Sequence, residues 1–414
     1  MRRSTTRSVI VVAAIAAVTL SACSSKSSDS GSTASSGSSS SSSASSGPLT
    51  IKPEAFINPD GSPATAASGG TATDPAGDGK AKCSPVSLAM AGALTGANGA
   101  LGANIIGGIK LALDQHNKAN AGCQVALKQF DTEGDPQKAT QAAPQIVSDT
   151  AVLGLVGPAF SGETKATGAI FDQAGLPFLS PSATNPGLST NGWKTFFRGL
   201  ANDTSQGAAD ANYLKSTLSY KKVCVVQDDS DYGVGLAKII TQTLGDSADS
   251  SCAADVKTGA KDFSATVSQI SAAAPDAIFY AGYYAEAAPF VQQLRDGGVK
   301  ATFVSGDGTN DPQFVKQAGQ SSAGSLLSCP CVASPPADFA SKFQALNGAA
   351  AGVYSVEGYD LATILLKAID GGATSRAQVL SFVQGYKGQG VGKLYQWNDK
   401  GELSSAQVSI SKVG

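Results

Sequence analysis

Apolar and polar positions alternate in two ways along most of the chain. Short continuous apolar runs, typical of buried strands, are separated by longer runs in which apolar residues recur every three or four positions, as in amphipathic helices. The predicted strands are Val86 to Ala91, Val125 to Asp131, Val152 to Val156, Phe178 to Ser180, Val223 to Gln227, Ala277 to Tyr280, Thr302 to Ser305 and Ser325 to Leu327. This alternation predicts βαβ units and parallel sheets, and because about 330 such residues exceed one core, it predicts two α/β lobes.

One βαβ unit in the middle of the chain carries candidate binding residues. A predicted strand ending at Val156 leads through a helix to a second strand, Phe178 to Ser180, which runs into a Pro/Ser/Thr loop. Ligands of open parallel sheets bind at the carboxyl ends of the strands, so Ser161 and the run Ser182-Ala183-Thr184 are expected to face one crevice. Ser161 precedes a helix, so N-capping and anion binding both remain open for it.

The two ends of the chain give different signals. Residues 24 to about 48 are almost wholly Ser, Gly and Ala, which cannot offset chain entropy by burial, and the low-apolar composition extends the predicted linker to about Ala81. At the other end, Leu394 to Trp397 and Val408 to Ile410 predict a closing hairpin with its turn at Asp399 to Gly401.

The first 23 residues predict export and a lipid anchor. Arg2, Arg3 and Arg7 precede the apolar run Val9 to Leu20, which is too short to span a bilayer and is typical of a secretory signal. The tetrad Leu-Ser-Ala-Cys ending at Cys23 resembles the lipobox of bacterial lipoproteins. It implies a signal peptide over residues 1–22, a lipid on Cys23 and attachment to the extracytoplasmic face of the cell membrane through the lipid alone.

Charge and cysteine content narrow the possible partners. Without the signal peptide 27 basic residues face 32 acidic ones, and no Lys/Arg cluster is present, so no nucleic-acid partner is expected. An even number of further cysteines in an exported chain predicts disulfides, although fifteen connectivities are possible. Pairing between neighbours along the chain is predicted, with the last two cysteines paired with each other or with nothing. The six are Cys83, Cys123, Cys224, Cys252, Cys329 and Cys331.

The sequence offers no constellation for catalysis. His116 is the only histidine, and Asp114 is two residues away and therefore on a different helix face. No CxxC pair occurs. A hydrolase is therefore poorly supported, neither a metal nor a cofactor is expected, and the chain is predicted not to be an enzyme.

Three further motifs have simpler explanations. The run Gly92 to Gly96 lacks the Lys-Ser/Thr of a phosphate loop, and Tyr232 to Gly235 lacks the third Gly of a dinucleotide fingerprint. The acidic run from Asp131 has Pro where a calcium loop needs Gly. Asp135 as helix N-cap, followed by Pro136, explains that run better.

Taken together, several motifs in the same order resemble those of the branched-chain amino acid-binding proteins, the extracytoplasmic receptors of ABC importers. The motifs are Gly154-Leu155-Val156-Gly157, the stretch Ala174 to Pro186, Asp231-Tyr232-Gly233, Lys261-Asp262-Phe263-Ser264 and Tyr280-Ala281-Gly282-Tyr283. The resemblance implies a type I periplasmic binding protein, with two doubly wound parallel-sheet lobes joined by three hinge crossovers near residues 198–205, 326–334 and 385–392. The lobes would comprise residues 82–201 with 330–388, and residues 202–329 with 389–414.

The resemblance also assigns the polar part of a ligand site. Ser161 matches the serine that donates to the α-carboxylate of a free amino acid, together with the backbone N–H of Thr184. The C=O of Ser182, the hydroxyl of Thr184 and the carboxylate of Asp307 match groups that accept from the α-ammonium. Such a division is chemically consistent, because both charged ends of a buried zwitterion need partners.

The apolar part of the implied site departs from the family pattern at two positions. Tyr232 and Tyr283 match second-lobe residues that close over the ligand. Leu101 stands where an aromatic residue is often seen, and Phe160 replaces a smaller side chain beside Ser161. Side-chain selectivity is therefore left open by the resemblance.

The function implied is that of a monomeric, lipid-anchored substrate-binding protein. It would bind a free amino acid, branched-chain or otherwise aliphatic, between its lobes and deliver it to the transmembrane permease subunits of an ABC importer. Two alternatives stand beside this expectation: a ligand sensor of the same fold, and a receptor for an amide, urea or aromatic acid.

Overall fold

The computed structural model describes residues 47–65, 71–332, 334–404 and 407–414, whose strands form two large sheets and one two-stranded ribbon. The strands are β1 (Ile51–Ile57), β2 (Pro63–Ala64), β3 (Val86–Gly92), β4 (Val125–Asp131), β5 (Val152–Val156), β6 (Phe178–Ser180), β7 (Phe196–Arg198), β8 (Val223–Asp228), β9 (Ala254–Val256), β10 (Ala277–Ala281), β11 (Thr302–Ser305), β12 (Leu326–Cys329), β13 (Gly388–Gln389), β14 (Leu394–Tyr395) and β15 (Val408–Val413). The helices are α1 (Gly99–Ala119), α2 (Pro136–Ser148), α3 (Ser161–Gln173), α4 (Asp203–Asn212), α5 (Asp231–Leu244), α6 (Ser264–Ala273), α7 (Tyr284–Asp296), α8 (Pro312–Ala318), α9 (Ala337–Asn347), α10 (Ser355–Asp370) and α11 (Arg376–Gln384).

The first sheet is parallel throughout and has the strand order β4-β3-β5-β6-β7. All five residues of β5 are buried, which is why this strand appears as a continuous apolar run in the sequence. Helices α1 and α10 pack closely together in this lobe. A Cβ on Gly108 of α1 would lie 2.0 Å from the carbonyl oxygen of Ser355, so only glycine allows this approach.

The second sheet has the order β2-β1-β15-β12-β11-β10-β8-β9. Its part from β9 to β12 is parallel and repeats the strand order of the first sheet, whereas β15 and β1 extend it in antiparallel pairing. The architecture is therefore two lobes with doubly wound parallel sheets, as predicted.

The eight strands predicted from apolar runs are all present, with ends shifted by no more than two residues. The sequence analysis missed β7 and β9: in β7 the apolar pair Phe196-Phe197 is followed by Arg198, and in β9 only Val256 is buried, so neither gives a continuous apolar run. Asp135 caps α2 by accepting from the N–H groups of Gln137 and Lys138, in agreement with the interpretation of the acidic run.

The predicted C-terminal hairpin is wrong. β14 pairs with β13, and β15 lies between β12 and β1 in the second sheet, so the two halves of the expected hairpin belong to different sheets. The turn at Asp399 to Gly401 is present, closed by the bridge between Trp397 and Leu403. Trp397 donates from Nε1 to the carbonyl of Arg198 at 2.7 Å, which holds this turn on β7.

The chain passes between the lobes after β7, after β12 and again before β15. The third passage comes later than the expected residues 385–392, because the β13–β14 ribbon still lies on the first lobe. There the N–H of Val391 donates to the buried carboxylate of Asp360 on α10, and Lys393 pairs with Glu357 at 2.7 Å. The predicted lobe boundary at residue 389 is therefore too early.

The predicted linker also ends too late. Ile51–Ile57 forms β1 and pairs antiparallel with β15 over its whole length. This strand was missed because it is held by backbone hydrogen bonds, and of its residues only Ile57 is buried, so it lacks an apolar run.

The disulfides follow the predicted pairing of neighbours along the chain. Cys83 is bonded to Cys123, Cys224 to Cys252 and Cys329 to Cys331. Within the described ranges, no helix is both long enough and apolar enough to cross a membrane.

Candidate functional site

The strand order of each lobe reverses at one point, and the loops at these two points meet between the lobes. The reversal lies between β3 and β5 in the first sheet and between β8 and β10 in the second. Contacts across the gap include Asn104 Nδ2 to Asp311 Oδ2 at 2.9 Å and Lys165 Nζ to Asp231 Oδ1 at 2.6 Å. The loops that carry the predicted site residues are thus enclosed by both lobes.

Ser161 and the loop after β6 come together as the sequence predicts. Ser161 is the first residue of α3, and its Oγ accepts from the backbone N–H of Asn185 at 3.2 Å. Ser182 Oγ donates to the carbonyl of Ala159 at 2.6 Å. The N-cap of α3 is Phe160, so capping is not the role of Ser161. Its hydroxyl proton is available to a ligand at the N-terminus of the helix.

Aromatic residues from both lobes pack against one another beside this serine. The rings of Phe160 and Tyr283 have centroids 4.6 Å apart, and those of Tyr283 and Tyr232 are 5.2 Å apart. Phe160, Tyr283 and Tyr232 therefore form an apolar wall between the lobes. Leu101, in the first turn of α1, is fully buried.

Asp307 lies in the loop after β11 and is almost completely buried. Its Oδ1 accepts from the hydroxyl of Tyr232 at 2.8 Å, and its Oδ2 accepts from the hydroxyl of Tyr354 at 2.6 Å. Burial raises the pKa of Asp307, while the hydrogen bonds from the two tyrosines oppose that rise.

The sequence analysis missed Tyr354. This residue precedes α10 on the first lobe, so its hydrogen bond to Asp307 joins the two lobes. Its φ of 66° places a bulky side chain in the left-handed region, which is costly and occurs mostly where function requires it. No sequence signal indicates such a conformation, and Tyr354 could be found only in three dimensions.

Asp203 is a second missed residue, and its environment is unusual. It is the first residue of α4, and its N–H donates to the carbonyl of Thr184 at 2.9 Å. Both carboxylate oxygens of Asp203 and the hydroxyl oxygen of Thr184 are buried without a hydrogen bond of standard geometry in the described chain, although the Thr184 hydroxyl lies close enough to lower the pKa of Asp203. An orphaned buried carboxylate is expensive, so this arrangement is suited to a cationic donor from a ligand.

The electrostatics of the site agree with this requirement. The pKa of Asp203 is raised to about 8, mainly by burial and further by the negative charge of Asp307. Two buried carboxyl groups that oppose each other's ionisation are both stabilised as anions when an ammonium group lies between them.

Arg198 positions the loop that carries Thr184. It is fully buried and donates from Nη1 to the carbonyl of Ala183 and from Nη2 to the carbonyl of Asn185, the latter at 3.0 Å. Its charge is paired with Glu402 at 3.0 Å. The carbonyl of Ala183 is therefore occupied, and Ala183 contributes to the site as a buried part of the loop.

The other side chains that could bind a metal ion do not form a separate site. In the described part of the chain, one set of groups has metal-ligand spacing: His116, Cys123 and Asp370. The sulfur of Cys123 is used in a disulfide, and His116 Nε2 bonds Asp370 Oδ1 at 2.8 Å, so this set does not fit a metal ion. The predicted lipid site, Cys23, lies outside the described residues.

Comparisons with known proteins agree with this geometry. The sequence model of a family described as "Periplasmic binding protein" matches residues 85–406. The chain is 30% identical over 339 residues to a protein of Pseudomonas aeruginosa named "Amino acid binding protein", covering 78% of this chain and 89% of that one. It is 28% identical over 291 residues to the leucine-, isoleucine-, valine-, threonine- and alanine-binding protein of the same organism, covering 69% and 78%.

Solved structures show the same relationship. The branched-chain amino acid transporter substrate-binding protein LivJ of Streptococcus pneumoniae, in complex with isoleucine, superposes with a TM-score of 0.73 at 26% identity, covering 80% of this chain and 99% of that one. The leucine-binding protein LivK of Thermotoga maritima gives a TM-score of 0.70 at 26% identity, covering 80% and 97%. The chain therefore belongs to the periplasmic binding protein family, with the type I fold and a binding rather than an enzymatic role, and its relatives and solved neighbours include branched-chain amino acid-binding proteins.

Proposed function

We propose that the protein binds a free amino acid with an aliphatic side chain between its lobes and delivers it to the permease of an ABC importer. The observation that carries the ligand assignment is the orphaned pair of Thr184 and Asp203 beside Asp307. These groups form a fully buried acceptor set, and Arg198, the cation whose charge lowers the pKa of Asp203, is itself paired with Glu402. An α-ammonium group supplies the missing charge and three N–H donors.

The other end of an amino acid also has suitable partners. The Ser161 hydroxyl and the backbone N–H of Thr184 would donate to the α-carboxylate, at the positive end of α3. The carbonyl of Ser182 would add an acceptor for the ammonium. The aliphatic side chain would then lie against Leu101 and the packed rings of Phe160 and Tyr283.

The names of the relatives support an aliphatic ligand. One curated relative is named for leucine, isoleucine, valine, threonine and alanine, and one solved relative contains isoleucine. In this chain the rings of Phe160, Tyr283 and Tyr232 would offer this side chain an apolar surface.

The alternative ligands fit this site less well. A solute-binding protein of R. palustris in complex with benzoate has a TM-score of 0.71, but at 16% identity this similarity concerns the fold alone. An aromatic acid would bring a negative charge close to Asp203 and Asp307, and urea or an amide would leave both carboxylates without a cation. A sensor role with an amino acid ligand would use the same contacts.

We further propose that the protein acts as a monomer held on the extracytoplasmic face of the cell membrane by a lipid on Cys23. The support is the Leu-Ser-Ala-Cys tetrad that follows the apolar run of residues 9–20. A Cys23→Ser variant should move from the membrane fraction to the soluble fraction after export. Retention of that variant in the membrane would contradict the lipid anchor.

Calorimetry with the chain lacking its first 23 residues tests the ligand. Leucine, isoleucine and valine should bind with micromolar or tighter affinity, near −8 kcal/mol, which about nine non-hydrogen atoms can readily provide. Leucinamide, which lacks the carboxylate, and 4-methylpentanoate, which lacks the ammonium, should bind much more weakly. Binding of benzoate, an amide or urea in preference to any amino acid would overturn the ligand assignment.

Reconstitution with the permease complex in liposomes distinguishes a transport role from a sensor role. The protein should stimulate ATP hydrolysis by its cognate permease complex in liposomes only when the amino acid is present. A ligand-dependent interaction with a membrane kinase, without such stimulation, would favour the sensor.

A further inference from the structure

The chain before the matched family region contacts both lobes. We name residues 49–82 the N-terminal strap; they precede residue 85, where the family match begins. Its first part belongs to the second lobe. β1 pairs with β15 from Ile51 opposite Val413 to Ile57 opposite Val408, and Asn212 Nδ2 on α4 donates to the carbonyl of Pro59 at 3.0 Å.

The last part of the strap is fixed to the first lobe. Asn120 at the end of α1 holds it twice, donating to the carbonyl of Ala76 at 3.0 Å and accepting from the N–H of Ala81 at 3.0 Å. Lys367 on α10 donates to the carbonyl of Pro75 at 3.3 Å. The disulfide between Cys83 and Cys123 then secures the end of this segment.

The described parts of the strap on either side of residues 66–70 are both bonded to the stretch of chain that forms the third crossover. On the second-lobe side, Gln407 Nε2 donates to the carbonyl of Thr65 at 2.6 Å. On the first-lobe side, the N–H of Thr73 donates to the carbonyl of Gln389 at 2.7 Å, and Thr73 Oγ1 lies 3.2 Å from the hydroxyl of Tyr386. The same stretch that returns the chain to the second lobe therefore has the strap bonded to it at both ends.

The beginning of the strap also borders the space between the lobes. A cavity of about 260 Å³ has walls from Leu49 and Ile51 of the strap, from Pro312 and Val315 of α8, and from the first-lobe loop 351–353 that precedes Tyr354. Relative movement of the lobes would change this cavity, so the strap is in contact with surfaces that separate during opening.

We propose that the N-terminal strap is a fourth connection between the lobes, which limits the opening of the cleft and increases the closed population of the ligand-free protein. Both ends are fixed, one by a strand ladder and one by hydrogen bonds and a disulfide. The link from Thr65 to Thr73 can reach at most roughly 28 Å when fully extended. A larger closed fraction lowers the apparent dissociation constant of any ligand that binds the closed form.

A different role for the strap would be purely structural. β1 covers the edge of β15, and covering an exposed edge protects a sheet from unwanted pairing. In that case the pairing of β1 matters but the covalent link to the first lobe does not. An experiment that cuts the link and leaves both fixed ends in place separates the two roles.

A protease site inserted between Thr65 and Thr71 allows that cut. Nitroxide labels on Thr140→Cys of the first lobe and Ser268→Cys of the second lobe report the distance between lobes by pulsed electron resonance. After cutting, the ligand-free distance distribution should broaden towards longer distances, and leucine affinity should fall about threefold. The same protease site placed between Gly371 and Gly372, in a turn within the first lobe, should change neither quantity when cut.

An unchanged distance distribution after cutting would overturn the proposal and leave β1 as an edge cover. A second variant, Asn120→Ala with Lys367→Ala, removes three hydrogen bonds that hold residues 75–81 to the first lobe in an uncut chain, and should broaden the distribution in the same direction but less, because Thr73 and the Cys83–Cys123 disulfide keep their contacts. If the cut fragment dissociates, this variant decides the outcome. The affinity part rests on the proposed function, but the distance measurement needs no ligand, so failure of the ligand assignment is distinguishable from failure of the strap.

Discussion

The two lobes repeat one strand order, and equivalent positions in them can be compared directly. Helix α3 follows β5, the third parallel strand of the first lobe along the chain, and helix α7 follows β10, the third parallel strand of the second lobe. Each helix is preceded by an aromatic N-cap residue, Phe160 or Tyr283, and these two rings pack against each other. The third residue of each helix is a buried glutamate, Glu163 or Glu286, which accepts from a backbone N–H.

The difference lies at the first residue of each helix. In the first lobe this is Ser161, a small residue that leaves the helix N-terminus open to a ligand anion. In the second lobe it is Tyr284, whose hydroxyl accepts from the N–H of Ala100 in the first lobe at 3.3 Å. One helix N-terminus is thus left for the ligand, and the equivalent one is occupied by a contact between the lobes.

The loops that follow β6 in the first lobe and β11 in the second lobe differ in charge. The first lobe provides Thr184 and the second provides Asp307. The two lobes therefore share one architecture but place neutral groups in the first lobe opposite a carboxylate in the second, an arrangement that suits a zwitterion bound between the lobes. The variants below test this division of labour between the lobes.

The largest effect is expected from Asp307→Ala. Removal of this carboxylate leaves the ligand ammonium with fewer acceptors and leaves Tyr232 and Tyr354 without theirs, so affinity for leucine should fall by about 2 kcal/mol or more, roughly thirtyfold. Calorimetry measures this directly. The control Asp360→Asn removes another buried carboxylate, on α10 and bonded to Val391, and should lower stability without this loss of affinity. Equal affinity of Asp307→Ala and wild type would exclude Asp307 from the site.

Ser161→Ala should cost less, about 1.5 kcal/mol or roughly tenfold in leucine affinity, since one hydrogen bond to a carboxylate is lost. The loss should disappear with leucinamide, which has no carboxylate, so the ratio of the two affinities is the informative measurement. Ser375→Ala removes a serine that caps α11 and should leave the ratio unchanged. A loss of equal size for leucine and leucinamide would place Ser161 away from the carboxylate.

The pH dependence of binding should report Asp203. Its pKa of about 8 in the ligand-free protein means that its carboxyl group is largely protonated at pH 6.5, whereas an ammonium ligand favours the ionised form. Binding then releases a proton, and affinity should rise somewhat less than tenfold from pH 6.5 to 7.5. The sign follows from the raised pKa, because lower pH protonates the acceptor. Asp203→Asn should bind more weakly and lose this slope; an unchanged slope would assign the proton to another group.

Much of this architecture could be predicted from the sequence, because buried parallel strands such as β5 give continuous apolar runs that need no tertiary information. The resemblance placed Ser161, Thr184 and Asp307 on loops at strand ends, and the structure joins Ser161 to Asn185, the residue after Thr184. Edge strands were the main failure. β1 is held by backbone pairing with β15, and its composition resembles that of a linker.

The site residues Asp203 and Arg198 could not be predicted from the sequence for a different reason. Asp203 follows Asn202, the residue that caps α4, and in sequence it looks like an ordinary acidic residue in a first helical turn. Arg198 lies in a three-residue strand and is buried only because Glu402, far away in the sequence, returns to pair with it. Their roles arise from burial and from partners distant in sequence, which local periodicity does not encode.

The smallest effect is expected from Tyr354→Phe. Among the described residues, Tyr354 is the one first-lobe residue whose hydroxyl donates to Asp307. Tyr354→Phe keeps the ring and removes the hydrogen bond to Asp307, so leucine affinity should fall about threefold to fivefold. This loss is smaller than that expected from removing a hydrogen bond to a charged ligand group, because the ligand ammonium still binds Asp307. Tyr359→Phe on α10 is the matched control, since its hydroxyl donates to Gln115 at 2.7 Å instead of reaching across the lobes. If the hydroxyl acts between the lobes, labels on Thr140→Cys and Ser268→Cys should show a smaller closed fraction for Tyr354→Phe alone. Identical closed fractions in both tyrosine variants would mean that Asp307 is positioned by Tyr232 within its own lobe, and the division of labour between the lobes would then be complete without Tyr354.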